Sequence, residues 1–216
     1  MAKYRVAING FGRIGRLALR SMFLDGRDDH QFEIVAINSR TPAASLAYLF
    51  KYDSVFHRFP GDVQVEENAI IINGHRIVTV LEPDPTKLPW KELDIDLVIE
   101  CTGALTKNDA ANAHIISGAK KVIISAAANG VDATIVMGVN EGIYDPAKHN
   151  VISNASCTTN CLAPVCRVLN EKFGIVEGLM NTIHSYTNDQ VTLDRSHKKT
   201  PSRGRAAALS IIPTST

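Results

Sequence analysis

The chain has 216 residues, 45% of them hydrophobic, with a net charge of +1 and four cysteines. That length suits one large domain, or one domain and part of another. A near-zero charge excludes the strong field of a nucleic-acid or membrane-surface binder, and no apolar run approaches the ~20 residues of a membrane span.

Met1–Asn9 enters a strand pattern directly, without the basic, apolar and small-residue regions of a signal peptide. A reduced, cytoplasmic setting is therefore expected for Cys101, Cys157, Cys161 and Cys166. None of them forms a CxxC pair, and no zinc or other metal site is expected. Tyr4–Asn9 reads as a buried strand, Arg16–Leu24 as a helix and Glu33–Asn38 as a second strand. A helix is expected over Ala44–Tyr52. Asn73-Gly74 divides Ala69–Val80 into a hairpin. Leu97–Glu100, Val122–Ser125 and Thr134–Val139 read as further strands, with a helix from about Asn108 to Ser117. This order predicts an α/β fold, a Rossmann-type doubly wound parallel sheet over residues 1–153. Residues 154–216 read as the start of a second, α+β catalytic domain that looks cut off. They comprise a helix over Cys157–Phe173 capped by Ser156, a strand over Val176–Ser185, and a polar excursion over Tyr186–Arg205.

Gly10-x-Gly12-x-x-Gly15 directly follows the first strand and opens the first helix. One glycine suits a tight turn, the next a close approach of backbone to pyrophosphate, and the last close helix–sheet packing. The ribose-binding acid of NAD-specific domains belongs at the end of the second strand, where the sequence reads Asn38-Ser39-Arg40. A hydroxyl and a guanidinium there favour a 2′-phosphate, and so NADP or dual use. Taken alone, Arg40 also suits a solvated loop.

Cys157 opens a helix, where the N-terminus stabilises a thiolate and free backbone N–H groups can receive an oxyanion. Cys161, one turn on, and Cys166 read as buried packing residues. His184 ends an apolar stretch and enters a polar loop, a setting for a general acid–base. His30, His75, His114 and His149 read as solvated.

INGFGRIGR at 8–16, KYDSVF at 51–56, LPWKEL at 88–93, ISNASCTTNCLAP at 152–164, HSYTNDQ at 184–190 and RAAALSIIPTST at 205–216 together resemble phosphorylating glyceraldehyde-3-phosphate dehydrogenases. The resemblance implies NADP or NAD as cofactor, glyceraldehyde 3-phosphate and inorganic phosphate as substrates, and a homotetramer. It implies Cys157 as the nucleophile and His184 as its base. Ser156 and Thr158 would hold the attacking phosphate, and Thr187, supported by Asp189, the substrate's own. Arg13 and Ile14 would lie along the dinucleotide, with Thr102 and Ser125 at its two ends. An erythrose-4-phosphate dehydrogenase, or a nucleotide-binding module without catalysis, remains an alternative.

Several positions depart from the family pattern. Ser39-Arg40 replaces the usual acid and apolar residue, Pro83 a common arginine beside the adenine, and Asn129 a usual lysine. Leu193-Asp194-Arg195-Ser196-His197 has serine where NAD-specific members have proline, similar to photosynthetic NADP-using members. Ser39, Arg40, Arg195 and Ser196 thus offer two hydroxyls and two cations to a 2′-phosphate, with no acid opposing them.

Overall fold

The computed structural model describes residues 3–24, 31–197 and 200–214. The chain divides into two compact units, Met1–Asn160 and Cys161–Thr216.

The first unit is built on β1 (Tyr4–Asn9), whose residues from Val6 onward are all buried. A parallel strand so covered has helices or loops on both faces of its sheet. Beside it lie β2 (Phe32–Asn38) and, on the other side, β8 (Leu97–Glu100), both parallel to it. The chain between them forms short pairs β3 (Tyr52–Asp53) and β4 (His57–Arg58), then β5 (Val63–Glu66), β6 (Ala69–Ile72) and β7 (His75–Val80). Beyond β8 come β9 (Lys121–Ile124), β10 (Ala133–Thr134) and β11 (Val151–Ser153). The large sheet runs β10-β11-β9-β8-β1-β2-β7-β6-β5, antiparallel only through β5, β6 and β7. This is the expected doubly wound α/β sheet, and the strand order reverses at β1.

Alternation along the strands divides the core. Ile8 and Ile37 face one layer with Leu19 of α1 (Arg13–Leu24) and Leu46, Ala47 and Phe50 of α2 (Ala43–Lys51). Ala7 and Ala36 face the other, with Trp90, Ile95 and Val98. Asn73 and Gly74 both take positive φ, 48° and 82°, as a two-residue hairpin turn requires.

Four expectations need correction. The helix over 108–117 is broken at Asn112 into α3 (Asn108–Ala111) and α4 (Ala113–Ile116). The strand over 134–139 shrinks to β10, because Asn140 turns the chain back: its Oδ1 accepts from Val136 N and its Nδ2 donates to Thr134 O. His114 is fully buried, not solvated, since its ring is bonded to Trp90 and Glu100. His30 lies outside the described residues. Val176–Ser185 forms no strand, because none of the described residues supplies a pairing neighbour.

The helix α5 (Cys157–Phe173) begins in the first unit. Beyond residue 160, Val191 and Gly204 are buried among the described residues. The polar excursion folds back on itself through Ala207 N to Val191 O and Arg195 N to Gly204 O. Pro201–Gly204 forms one 3-10 turn.

Candidate active site

The three glycines differ in what surrounds them. Gly10 has φ +92°, and a Cβ there would meet Thr102 N at 2.7 Å. A Cβ on Gly15 would strike Gly10 O at 2.3 Å, so only glycine lets α1 pack this closely. A Cβ on Gly12 meets nothing within 4 Å: its backbone faces open space, as a phosphate-approaching position requires.

That open space belongs to a cleft of about 430 Å³ at the carboxyl ends of the strands around the reversal point. Gly10, Gly12, Asn38, Ser39, Arg40 and Thr102 all line it, and so does Pro83. The residues present therefore fit a dinucleotide. Arg13 and Ile14 open α1; the Arg13 guanidinium pairs with Asp53 at 2.5 Å and lies over the Phe56 ring. Its hydrogen bond holds the Asp53 carboxyl well below the usual carboxylate range.

Sequence reasoning missed Glu82, Cys101, Ala104 and Leu105 in this lining. Glu82 corrects the expectation of a cleft without acid: it follows β7, which pairs with β2, and its carboxylate accepts from Asp84 N at 2.8 Å. The topological signal was available only once β7 was known to neighbour β2. Ser125 follows β9, donates its N–H to Glu100 O, and does not line the cleft; its hydroxyl meets the Cys101 thiol. Burial pushes that thiol up to about 11, which leaves Cys101 a poor nucleophile.

Cys157 is exposed at the first position of α5. The turn before it is tightly held. Ala155 takes φ 63°, a conformation uncommon outside glycine. Its N–H donates to Ser153 Oγ at 3.0 Å, and that hydroxyl donates to Ala126 O at 2.7 Å. Ser156 caps α5 by accepting from Thr159 N at 3.0 Å. Asn160 Nδ2 donates to Asn154 O and Ser156 O, closing the turn. Thr158 is buried. Cys161 is exposed rather than buried, because none of the described residues covers that side of the helix; Cys166 is half-buried.

In the second unit, His184 is exposed and its Nδ1 donates to Ser185 O at 2.7 Å. A carbonyl only accepts, so this bond fixes the ring proton on Nδ1. Thr187 Oγ1 donates to Asp189 Oδ1 at 2.5 Å. Arg203 bonds both Asp189 and Thr214. The Thr187 hydroxyl first, and Arg203 with it, hold the Asp189 carboxyl below its ordinary range. Arg195 and Ser196 are exposed in the same unit.

A family model described as "Glyceraldehyde 3-phosphate dehydrogenase, NAD binding domain" matches residues 4–108, and one for that enzyme's C-terminal domain matches residues 156–216. Similar proteins include the glyceraldehyde-3-phosphate dehydrogenases of Thermotoga maritima, 54% identical over 212 residues, and Clostridium pasteurianum, 56% over 213. Glyceraldehyde-3-phosphate dehydrogenase 2 of Bacillus subtilis is 51% identical over 214 residues. These alignments cover 98–99% of this chain and 62% of each relative, so the chain spans under two thirds of their length. With both family models matched in order over an NAD-binding glycine turn and a helix-capped cysteine, the chain belongs to the glyceraldehyde-3-phosphate dehydrogenase family.

Proposed function

We propose that the whole protein oxidises and phosphorylates glyceraldehyde 3-phosphate to 1,3-bisphosphoglycerate with NAD or NADP. The observation that carries this reading is the setting of Cys157: an exposed thiol at the first position of a 17-residue helix, behind a positive-φ alanine. Helix N-termini favour thiolates and leave backbone N–H groups for an oxyanion.

In this reading Cys157 Sγ attacks the aldehyde carbon to give a thiohemiacetal. His184 takes the hydroxyl proton as C1 gives up hydride, which leaves a thioester on Cys157. The bound dinucleotide supplies the hydride acceptor. Phosphate, held by Ser156 and Thr158, then attacks the thioester carbonyl. The C–S bond breaks, the acyl phosphate leaves and the thiolate is restored. Thr187, backed by Asp189 and Arg203, holds the phosphate already on the substrate. Gly10, Gly12, Arg13, Ile14 and Gly15 cradle the pyrophosphate, and Thr102 serves one end of the dinucleotide; Ser125, outside the cleft lining, is assigned to the other end by the family resemblance alone. Ser39 and Arg40, with Ser196 of the 186–205 excursion, serve its 2′ position.

In this reading the dinucleotide-binding domain covers residues 1–153 and the catalytic domain starts at residue 154, just after β11. The family membership further supports a homotetramer of the cytoplasm; light scattering on the natural-length protein decides the first.

Iodoacetamide labelling near neutral pH, followed by peptide mapping, tests the nucleophile. Cys157 is expected to react first, and Cys101 slowest, since burial holds its thiol protonated. Cys157→Ser should abolish aldehyde oxidation, by about 10⁴ or more, and leave dinucleotide binding intact. Faster labelling of Cys161, which is also exposed, together with an active Cys157→Ser enzyme, sinks the assignment.

A further inference from the structure

Three polar residues end three neighbouring strands. The register sets Asn9 opposite Asn38 across β1 and β2, and opposite Glu100 across β1 and β8. All three are buried, Glu100 to 1% exposure. A buried carboxylate is tolerated only where hydrogen bonds replace its water.

Glu100 collects such bonds on both oxygens. Its Oε1 accepts from Thr102 N at 2.7 Å and from Thr102 Oγ1. Its Oε2 accepts from Asn9 Nδ2 at 2.6 Å and lies 3.0 Å from His114 Nε2. Trp90 Nε1 lies 3.0 Å from His114 Nδ1. An indole N–H only donates, so Nδ1 accepts and the ring's donor is Nε2, facing Glu100. On the other side Asn9 Oδ1 accepts from Asn38 Nδ2 at 2.7 Å. Asn38 in turn clasps the Glu82 backbone, donating to its O at 2.9 Å and accepting from its N at 3.0 Å.

One hydrogen-bonded row therefore joins the buried Trp90 to Thr102, after β8, and to Glu82, after β7. Both of these line the dinucleotide cleft, whereas Glu100, His114 and Trp90 do not. We infer that Glu100 is a positioning residue for the dinucleotide, fixing Thr102 directly and Glu82 through Asn9 and Asn38, with His114 and Trp90 holding it in turn. The inference rests on the dinucleotide reading of the cleft. It adds that the cleft's two sides are set by one buried carboxylate rather than by the packing of each loop alone.

Glutamine at position 100 offers one acceptor and one donor group. Whichever way its amide turns, N–H faces the Thr102 donors or those of Asn9 and His114. The test is NADH binding to the natural-length protein, followed by nicotinamide fluorescence, with steady-state kinetics and thermal melting alongside. Glu100→Gln should raise the Kd for NADH about tenfold or more, the scale of a buried donor left unpaired. It should raise the KM for the dinucleotide in step, with kcat at saturation far less affected. In the 216-residue chain, whose single tryptophan is Trp90, the emission should shift in the same variant.

His114→Gln keeps an acceptor for Trp90 and a donor for Glu100, and should bind NADH more tightly than His114→Leu. That pair carries the test if Glu100→Gln does not fold. Ile95→Ala is the control: Ile95 packs in the Trp90 cluster, but its apolar side chain supplies no hydrogen bond to the row. The inference is overturned if Glu100→Gln binds NADH like the wild type, if His114→Gln and His114→Leu bind alike, or if Ile95→Ala weakens binding as much at an equal loss of melting temperature. A wild-type protein that binds no NADH overturns the dinucleotide reading, and the inference with it; normal wild-type binding with indifferent variants overturns the inference alone.

Discussion

Both units carry apolar residues and use them differently. In Met1–Asn160, Val6, Ala7 and Ile8 are enclosed on both faces of a sheet, with Phe50 and Trp90 fully buried in opposite layers. In Cys161–Thr216, Val176, Leu179 and Ile183 are 101%, 105% and 97% exposed. Apolar patterning supplies the driving force for burial but not the second layer that burial needs. A strand shows this most plainly, because it exists only when a neighbour accepts its hydrogen bonds. The polar groups differ in the same way: those of the first unit form a closed row behind the cleft, whereas His184 and Thr187 sit exposed.

The largest effect that bears on this contrast is at His184. If exposure in the second unit meant idleness, His184→Ala would be silent. As a general acid–base it should cost about 10²–10⁴ in kcat of the natural-length protein. The labelling rate of Cys157 should fall with it, because an imidazolium partner favours the thiolate. A near-native rate and unchanged labelling would assign the proton transfers elsewhere.

Next in size is packing. Phe50→Ala empties a fully buried site among Leu46, Phe59 and Ile70, and should cost about 3–5 kcal/mol in chemical denaturation. Leu179→Ala, measured in the 216-residue chain, should change stability by less than about 0.5 kcal/mol, as surface substitutions do. Equal losses would show that residues 176–185 are covered and erase the contrast between the units.

The first unit was legible where the signal is local. Tyr4–Asn9, Leu97–Glu100, the Asn73-Gly74 turn and the tight settings of Gly10 and Gly15 all follow from short-range steric rules, and the structure keeps them. Features set by distant pairing were not legible. His114 on a short helix reads as solvated until Trp90 and Glu100, 24 and 14 residues away, close on its ring. Glu82 becomes a cleft wall only through the β2–β7 pairing. The strand β5 at the sheet edge carries one half-buried and three exposed residues, so little in its pattern marks it. In the second unit the apolar run 176–185 has strand composition and no strand, since composition cannot supply a partner. Cys157 was legible because a cap and a helix start are local. The chemistry proposed for His184 was legible only through the motif around it.

The smallest effect asks whether the cleft itself decides cofactor choice or depends on the second unit. Ser39 and Arg40 line the cleft, while Arg195 and Ser196 belong to the second unit and are exposed. A charge-assisted hydrogen bond from Arg40 to a 2′-phosphate contributes about 1.5–3 kcal/mol where water is excluded. Solvent around an exposed guanidinium reduces that, and Glu82 brings an acidic residue to the same lining. One hydrogen bond from Asp84 N occupies part of that carboxylate without neutralising it. The expected outcome is NADP use at least comparable to NAD, read as kcat/KM for both cofactors on the natural-length protein. Ser39→Asp with Arg40→Leu removes the attraction and adds a repelling carboxylate, so kcat/KM should move toward NAD by about tenfold or more. Glu82→Gln should move it the other way; an unchanged ratio removes the Glu82 carboxylate from cofactor selection. Arg195→Leu with Ser196→Pro separates the units: a comparable shift toward NAD means the second unit shares the decision, and no shift leaves it to the cleft. A wild type that strongly prefers NAD, or a Ser39–Arg40 double variant with an unchanged ratio, removes these residues from cofactor selection altogether.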